Sequence, residues 1–167
     1  MGVNRMDSTS SINIKRGDIL LVGHKFCPVS WLIQKYLHCK YNHVAWIASD
    51  SGVLELKAKT LVYSPLDKFF NSFLYKIKII RLPLSEKDLW LAEEMLITFN
   101  KNYSYLSFVL VAIKILTNKI SINSRNTCST IIASALATVG CSIFKKPSYL
   151  ITPKDFDNLK VEIIYEN

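Results

Sequence analysis

An uncharged stretch from Asn126 to Phe144 most limits what this chain can fold into. It is long enough to span a bilayer, but it contains six hydroxyl side chains that lipid would not favour: Thr127, Ser129, Thr130, Ser134, Thr138 and Ser142. Asn126 or Thr127 can supply an N-cap oxygen, and Gly140 is suited to end a helix. We therefore predict a helix buried in a protein core, with Cys128 in its first turn.

The position of Cys128 makes it a candidate nucleophile. Free backbone N–H groups and the positive end of the helix dipole both favour thiolate over thiol at a helix N-terminus. The same N–H groups can stabilise an oxyanion. A free cysteine is more often a small buried hydrophobic residue, so the position alone does not establish catalysis.

Length and composition place this chain among globular proteins. We predict a single domain over residues 12–167 of the 167, after a flexible polar N-terminus at residues 1–11. No apolar leader is visible, so we expect a cytoplasmic protein with its four cysteines as free thiols. The formal charge of +8 is dispersed, which argues against nucleic acid and leaves open a peripheral contact with an anionic membrane surface. Composition does not indicate an oligomeric state.

Hydrophobic patterning predicts an α+β fold in which a small antiparallel sheet packs against helices. A buried strand is expected at 19–22 and a helix at 29–37 with Trp31, Leu32, Ile33 and Tyr36 inward. A hairpin at 43–48 and 53–56 follows, then a half-exposed strand at 76–82 with its basic residues outward. Helices are predicted from Ser85 to Phe99, over 105–116 and from Cys128, then a helical turn at Pro153 and a last strand at 161–165. The stretch from Lys57 to Phe73 is expected to form a rim of the pocket.

A thiol nucleophile needs a base, and His43 is the best placed of three histidines. It begins a predicted strand after a polar loop, and the hairpin can bring Glu55 beside it. Glu55 lies between two leucines, so it should point away from the side that they bury. A carboxylate there could orient the imidazole, although a strand histidine and a strand glutamate are both more often structural.

Five short motifs in this order resemble the circularly permuted papain-like group of the NlpC superfamily. They are GDILLV (17–22), NHVAWI (42–47), VLEL (53–56), NYSYLSF (102–108) and TCSTIIA (127–133). YiiX-type bacterial proteins are the most similar members, and lecithin:retinol acyltransferase-like enzymes are more distant. In that group the histidine strand precedes the cysteine helix, the reverse of papain.

The resemblance implies a nucleophile at Cys128, a base at His43 and a third polar residue at Glu55. It also implies that Tyr103 lines the site or polarises the carbonyl, with Ser129 beside the nucleophile at the oxyanion position. Three positions depart from the family pattern: Asn42 replaces a common serine, Ser104 a common aspartate and Thr130 a glutamate. None belongs to the triad, so these departures affect substrate contacts rather than the chemistry.

The resulting hypothesis is a thiol-dependent hydrolase or acyltransferase that acts on an amide, peptide or acyl ester bond through a thioester. Expected substrates are peptides, cell-wall-type peptides, or N-acyl groups of lipids or modified proteins, with no cofactor and no metal. Two alternatives stay open. Cys27, His38, Cys39 and His43 could bind a metal, although the paired spacing of structural zinc sites is absent. A non-catalytic papain-like module could also bind a peptide or a lipid surface.

Overall fold

The computed structural model describes residues 12–57, 60–99 and 127–167 of the chain. The strands are β1 (Ile19–His24), β2 (His43–Ile47), β3 (Gly52–Lys57), β4 (Thr60–Pro65), β5 (Tyr75–Arg81) and β6 (Glu162–Glu166). The helices are α1 (Pro28–Leu37), α2 (Asp67–Phe70), α3 (Glu86–Phe99), α4 (Cys128–Thr138) and α5 (Pro153–Asp157), with a 3₁₀ turn at Ser148–Leu150. The helix predicted over 105–116 lies outside the described residues.

The strands form one six-stranded sheet in the order β4-β3-β2-β1-β5-β6, and every neighbouring pair is antiparallel. The continuous apolar run at the start of β1 is fully buried between β2 and β5, as its pattern predicts. The expected α+β architecture with an antiparallel sheet is therefore confirmed.

Each face of the sheet carries its own hydrophobic core. One core combines β-strand residues such as Val44 and Trp46 with side chains of α3, α4 and α5. The other combines Ala45 and Ile47 with Leu66 and Phe69 at α2. Successive side chains along β2 thus point to opposite faces of the sheet. Helix α4, which begins with Cys128, packs on the face that carries Val44 and Trp46.

Helix α4 begins and ends as its residues predict. Thr127 and Thr130 form a reciprocal capping box, in which each side chain accepts a hydrogen bond from the other's backbone N–H at 3.3 and 2.7 Å. Gly140 takes φ = 77° just after the helix, a conformation that suits glycine. In the part of the chain that the structure describes, helices are too short or too polar to cross a bilayer.

The predicted inner face of α1 is wrong for Trp31 and Tyr36, whereas Leu32 and Ile33 are half-buried. Trp31 is 56% exposed and Tyr36 is 38% exposed, whereas Ser30 is the buried residue of the helix. The polar residues Ser30 and Gln34 hydrogen-bond to Asn42, just before β2, and these bonds set the rotation of the helix. Counting apolar residues at helical spacing could not detect this anchor.

Two further expectations can be compared with the structure, and the first of them needs correction. Basic residues of β5 were expected to point outward, but Lys78 is only 7% exposed, because its ammonium donates to the Asp157 carboxylate at 2.8 Å. The stretch expected as a pocket rim contains an edge strand, β4, and the single-turn helix α2, neither of which the pattern predicts. Lys57 and Lys68 of this stretch contact Glu55, and its role as a rim stays a prediction.

Candidate active site

Cys128 is the first residue of α4, directly after the N-cap Thr127. The backbone N–H groups of Ser129 and Val44 both interact favourably with its thiolate. One donor thus comes from the helix N-terminus and the other from the strand against which the helix packs. This position supplies the electropositive surroundings that a reactive thiol requires.

His43 is the first residue of β2, and its neighbour Asn42 fixes where the strand starts. The Asn42 N–H donates to the Val22 carbonyl at 3.0 Å. The Asn42 side chain accepts from the His24 N–H at 3.2 Å and donates to Ser30 Oγ at 2.7 Å. Asn42 therefore positions the base through β1 and α1, a role that the sequence does not reveal.

Glu55 is only 4% exposed, and its Oε2 lies 3.5 Å from His43 Nε2. His43 Nε2 is buried and has no hydrogen-bond partner among the described residues, so this contact is a close ion pair and not a formed hydrogen bond. Hydrogen bonds at catalytic sites are often long without substrate and shorten in the reacting complex. Because Nε2 faces Glu55, Nδ1 is the nitrogen left to interact with Cys128.

The site lies where two strands of the sheet separate. Next to their hairpin, β2 and β3 pair at Ile47–Val53 and Trp46–Leu54, and no further pair follows. Strand β3 stays paired with β4 along its whole length. Alternation places His43 and Glu55 on the face opposite to α4. The gap between β2 and β3 therefore lets an imidazole from one face reach a thiol from the other.

The thiol and the imidazole stabilise each other's charged form. Burial alone would raise the pKa of the Cys128 thiol, but the charge and hydrogen bond of His43, with the two backbone N–H groups, lower it below its ordinary value. Burial alone would likewise lower the pKa of His43, but Cys128 and Glu55 raise it to about 10. Over the pH range between these two pKa values the favoured state is a thiolate–imidazolium pair.

Glu55 is held as a carboxylate by two lysines that sequence patterns did not single out. Its Oε1 accepts from Lys57 Nζ and from Lys68 Nζ, both at 3.0 Å. Burial alone would raise the pKa of Glu55, but the close contact with His43 and the hydrogen bonds from Ser64, Lys57 and Lys68 hold it well below its usual range. Lys57 lies two residues from Glu55 on the same strand face, so alternation could have suggested it, whereas Lys68 arrives from α2.

Two other candidate residues take different positions. The Ser129 side chain is 1% exposed and donates to the Ile151 carbonyl at 2.7 Å, so its hydroxyl is committed to the core and only its backbone N–H faces the thiolate. Tyr103 lies outside the described residues. Behind Cys128 is an apolar cavity of about 10 Å³, enough for one water and too small for an acyl group. It is lined by the described residues Val44, Trp46, Leu54, Leu56, Leu61, Leu96, Ile131 and Ile132.

The four cysteines are free thiols, as predicted. The alternative metal site is not assembled: Cys39 Sγ contacts Asp157 at 3.8 Å, and His43 is coupled to Cys128. Across residues 12–57, 60–99 and 127–167, His, Cys, Asp and Glu side chains form no group of three or more suited to a metal ion.

Comparison with known proteins identifies the fold. No family model and no curated protein matches the chain. Among solved structures, the chain is similar to metalloprotein yiiX from Escherichia coli O157:H7, with a TM-score of 0.53 and 15% sequence identity over 92% of this chain and 97% of that one. At this identity the similarity concerns the fold alone. The chain therefore has a YiiX-like fold, as its motifs suggest.

Proposed function

We propose that this protein is a thiol-dependent hydrolase or acyltransferase with Cys128 as nucleophile, His43 as general base and acid, and Glu55 as the residue that orients and charges His43. The single observation that carries the proposal is the arrangement of the site, in which Cys128 begins a helix beside His43, and His43 contacts Glu55; this arrangement favours a thiolate–imidazolium pair. Structural cysteines buried in apolar surroundings show the opposite shift, and Cys39 and Cys141, whose pKa values are raised, do so here.

The chain order supports a permuted papain-like arrangement. The strand that carries His43 comes before the helix that carries Cys128, and Glu55 follows the histidine in the next strand. A Cys–His pair with a third polar residue is a recurring solution for acyl transfer on unrelated folds. All three side-chain types are present and adjoin one another, which favours an enzyme over a binding module that has lost its chemistry.

The proposed reaction proceeds through a thioester. The Cys128 thiolate attacks the carbonyl carbon of an amide or ester, and N–H groups at the start of α4 stabilise the oxyanion. Collapse of the tetrahedral intermediate transfers a proton from His43 to the leaving amine or alcohol. His43 then accepts a proton from water or another acceptor, which attacks the thioester and regenerates the thiolate. Peptides, cell-wall-type peptides and N-acyl lipids or proteins are the substrate classes that this chemistry covers.

A metal does not fit the described residues of this site. The similar solved structure is called a metalloprotein. In this chain, however, the two ammonium groups of Lys57 and Lys68 occupy Oε1 of Glu55, where a cation would have to bind. A further positive charge there would be repelled, and His43 is itself held in its charged form. No step of the proposed reaction uses a metal.

Trapping of the acyl-enzyme tests the proposal directly. The purified protein is mixed with a p-nitrophenyl acyl ester, quenched in acid and mapped by peptide mass spectrometry. We expect a thioester on Cys128 that hydroxylamine removes. Cys128→Ser and His43→Ala should lose the adduct and all turnover while they keep the far-UV circular dichroism of the wild type. Cys141→Ser is the matched control, because that thiol lies elsewhere with a raised pKa, and it should behave as wild type.

Two outcomes would contradict the proposal. Turnover by a folded Cys128→Ser variant would exclude Cys128 as the essential nucleophile. Equal and slow acylation of all four cysteines would favour the non-catalytic module, which keeps the fold to bind a peptide or a lipid surface.

A further inference from the structure

Helix α1 buries the polar residue Ser30 and leaves several large apolar side chains on its outward side. Ser30 is 6% exposed and accepts from Asn42 Nδ2 at 2.7 Å, while Gln34 Nε2 donates to the His24 carbonyl at 3.1 Å and to Asn42 Oδ1 at 3.2 Å. The outward residues include Val29, Trp31 and Tyr36, exposed by 49, 56 and 38%. A surface helix normally has the reverse arrangement, so the outward side of α1 lacks a partner among the described residues.

Two phenylalanines extend this apolar side at the N-terminal end of the helix. Phe26 and Phe73 are exposed by 68 and 73%, the latter being the largest exposure of the large apolar side chains described. Their rings meet edge to face with centroids 6.2 Å apart. A hydrogen bond of 2.8 Å from the Lys25 N–H to the Leu74 carbonyl joins the two loops. We call Phe26, Val29, Trp31, Tyr36 and Phe73 the apolar surface.

The two chain segments that carry the apolar surface contain basic residues and no acidic ones. The chain has no aspartate or glutamate between Asp18 and Asp50, and none between Asp67 and Glu86. These two segments form the apolar surface and carry the exposed residues Lys25, Lys35 and Lys76. The Lys35 ammonium lies 5.1 Å from the centre of the Trp31 ring. Exposed aromatic rings among lysines match the interfacial region of an anionic bilayer.

We propose that the apolar surface docks the protein on an anionic lipid bilayer. Phe26, Phe73 and Trp31 enter the headgroup region, and the lysines beside them contact lipid phosphates. The lysines favour a bilayer over a protein partner, because protein–protein interfaces are depleted in lysine. They also remain solvated at a lipid surface, where each adds attraction that salt can screen.

The docking surface is joined to the candidate active site by hydrogen bonds. Asn42, which both Ser30 and Gln34 contact, immediately precedes His43. Val22 on β1 pairs with His43 on β2, so the loop of Phe26 and the start of β2 leave the sheet at the same end. A docked protein would hold this end of the sheet at the membrane. The binding itself does not depend on the proposed chemistry.

Tryptophan quenching tests both the docking and its location. The chain has three tryptophans, of which Trp46 is fully buried, while Trp31 and Trp90 are each 56% exposed on different helices. Full-length Trp90→Phe protein is mixed with vesicles of phosphatidylglycerol and bromine-labelled phosphatidylcholine. We expect strong quenching in Trp90→Phe, where Trp31 is retained, and little in the matched variant Trp31→Phe, where Trp90 is retained.

Vesicle sedimentation measures how strongly the protein and its variants partition onto lipid. Phe26→Ser combined with Phe73→Ser should weaken partitioning onto phosphatidylglycerol vesicles by about tenfold for each ring removed. Ile97→Ser with Trp90→Gln, which changes two exposed apolar residues of α3, should leave the partitioning unchanged. Added salt and vesicles of phosphatidylcholine alone should each weaken the binding.

The proposal is overturned by several results. They are equal binding to neutral and anionic vesicles, equal quenching of the two tryptophan variants, and no loss in the phenylalanine double variant. Absence of vesicle binding together with self-association that the double variant abolishes would assign the surface to a second copy of the chain instead. Loss of activity in Cys128→Ser with unchanged vesicle binding would leave the docking intact, so the two proposals fail separately.

Discussion

Replacing Glu55 by glutamine removes one negative charge from the buried side of His43 and keeps the shape of the side chain. His43 Nε2 and Glu55 Oε2 are 3.5 Å apart. At an effective dielectric constant of about 20, that separation corresponds to about 5 kcal/mol, or roughly 3.5 pH units on the imidazole, as an upper limit. Lys57 and Lys68 already offset part of the carboxylate's charge in the wild type, so we expect a shift of about 1 to 3 units.

The direction of the shift follows from the charges. The wild-type environment raises the pKa of His43 to about 10. Without the carboxylate the imidazolium loses an anion and faces the uncompensated ammonium groups, so the pKa should fall to between about 7 and 9. The thiolate–imidazolium pair would then be lost at lower pH than in the wild type. Lys57 and Lys68 are 50 and 36% exposed, so water can solvate them and the fold should survive.

Nuclear magnetic resonance of ¹³C-labelled histidine measures this directly. The chain has only three histidines, and the His43 signal can be assigned as the one missing from His43→Ala. Glu94→Gln, a change at an exposed position on α3, is the matched control and should leave the titration unchanged. A fall of less than about half a unit in Glu55→Gln would refute the electrostatic role assigned to Glu55.

Two further predictions concern the framework that positions the site. Asp18→Asn should lower the free energy of unfolding in urea by about 3 to 5 kcal/mol, because the carboxylate is 1% exposed and pairs with Arg81 through two 2.8 Å contacts. Glu162 is the exposed partner of the same arginine, so Glu162→Gln should lower it by less than about 1 kcal/mol. Equal losses in the two variants would contradict the argument from burial. Gly23→Ala should lower the free energy of unfolding by about 1 to 3 kcal/mol or more, because an added Cβ would overlap the Lys40 carbonyl just before β2. An unchanged melting temperature would contradict this prediction, because it would mean that the backbone at Lys40 can move away from Gly23.

Local patterns predicted the parts of the fold that depend on local physics. The capping residues of α4, the hairpin between β2 and β3 and the buried run of β1 each follow from a few neighbouring residues. The position of Glu55 opposite its leucine neighbours follows from strand alternation, and those half-buried leucines pack against the core on the other face of the sheet.

Long-range contacts set what the sequence could not show. The rotation of α1 depends on hydrogen bonds to Asn42, and the burial of Lys78 depends on Asp157 from the far end of the chain. Lys57 and Lys68 meet at Glu55 only because α2 packs on the face of the sheet to which the Glu55 side chain points. Even the meeting of His43 with Cys128 needs the early separation of β2 from β3, which no local pattern encodes.

Peptide-resolved alkylation of the four cysteines is the most direct measurement of the central claim, that His43 keeps Cys128 as a reactive thiolate. The pKa of Cys128 is lowered, whereas the pKa values of Cys39 and Cys141 are raised, so each protein molecule contains its own reference thiols. With limiting iodoacetamide near pH 6, well below the ordinary thiol pKa, we expect Cys128 to react at least about tenfold faster than either reference thiol, and His43→Ala to remove that advantage. Equal rates in the wild type, or a fast Cys128 in folded His43→Ala, would contradict the account.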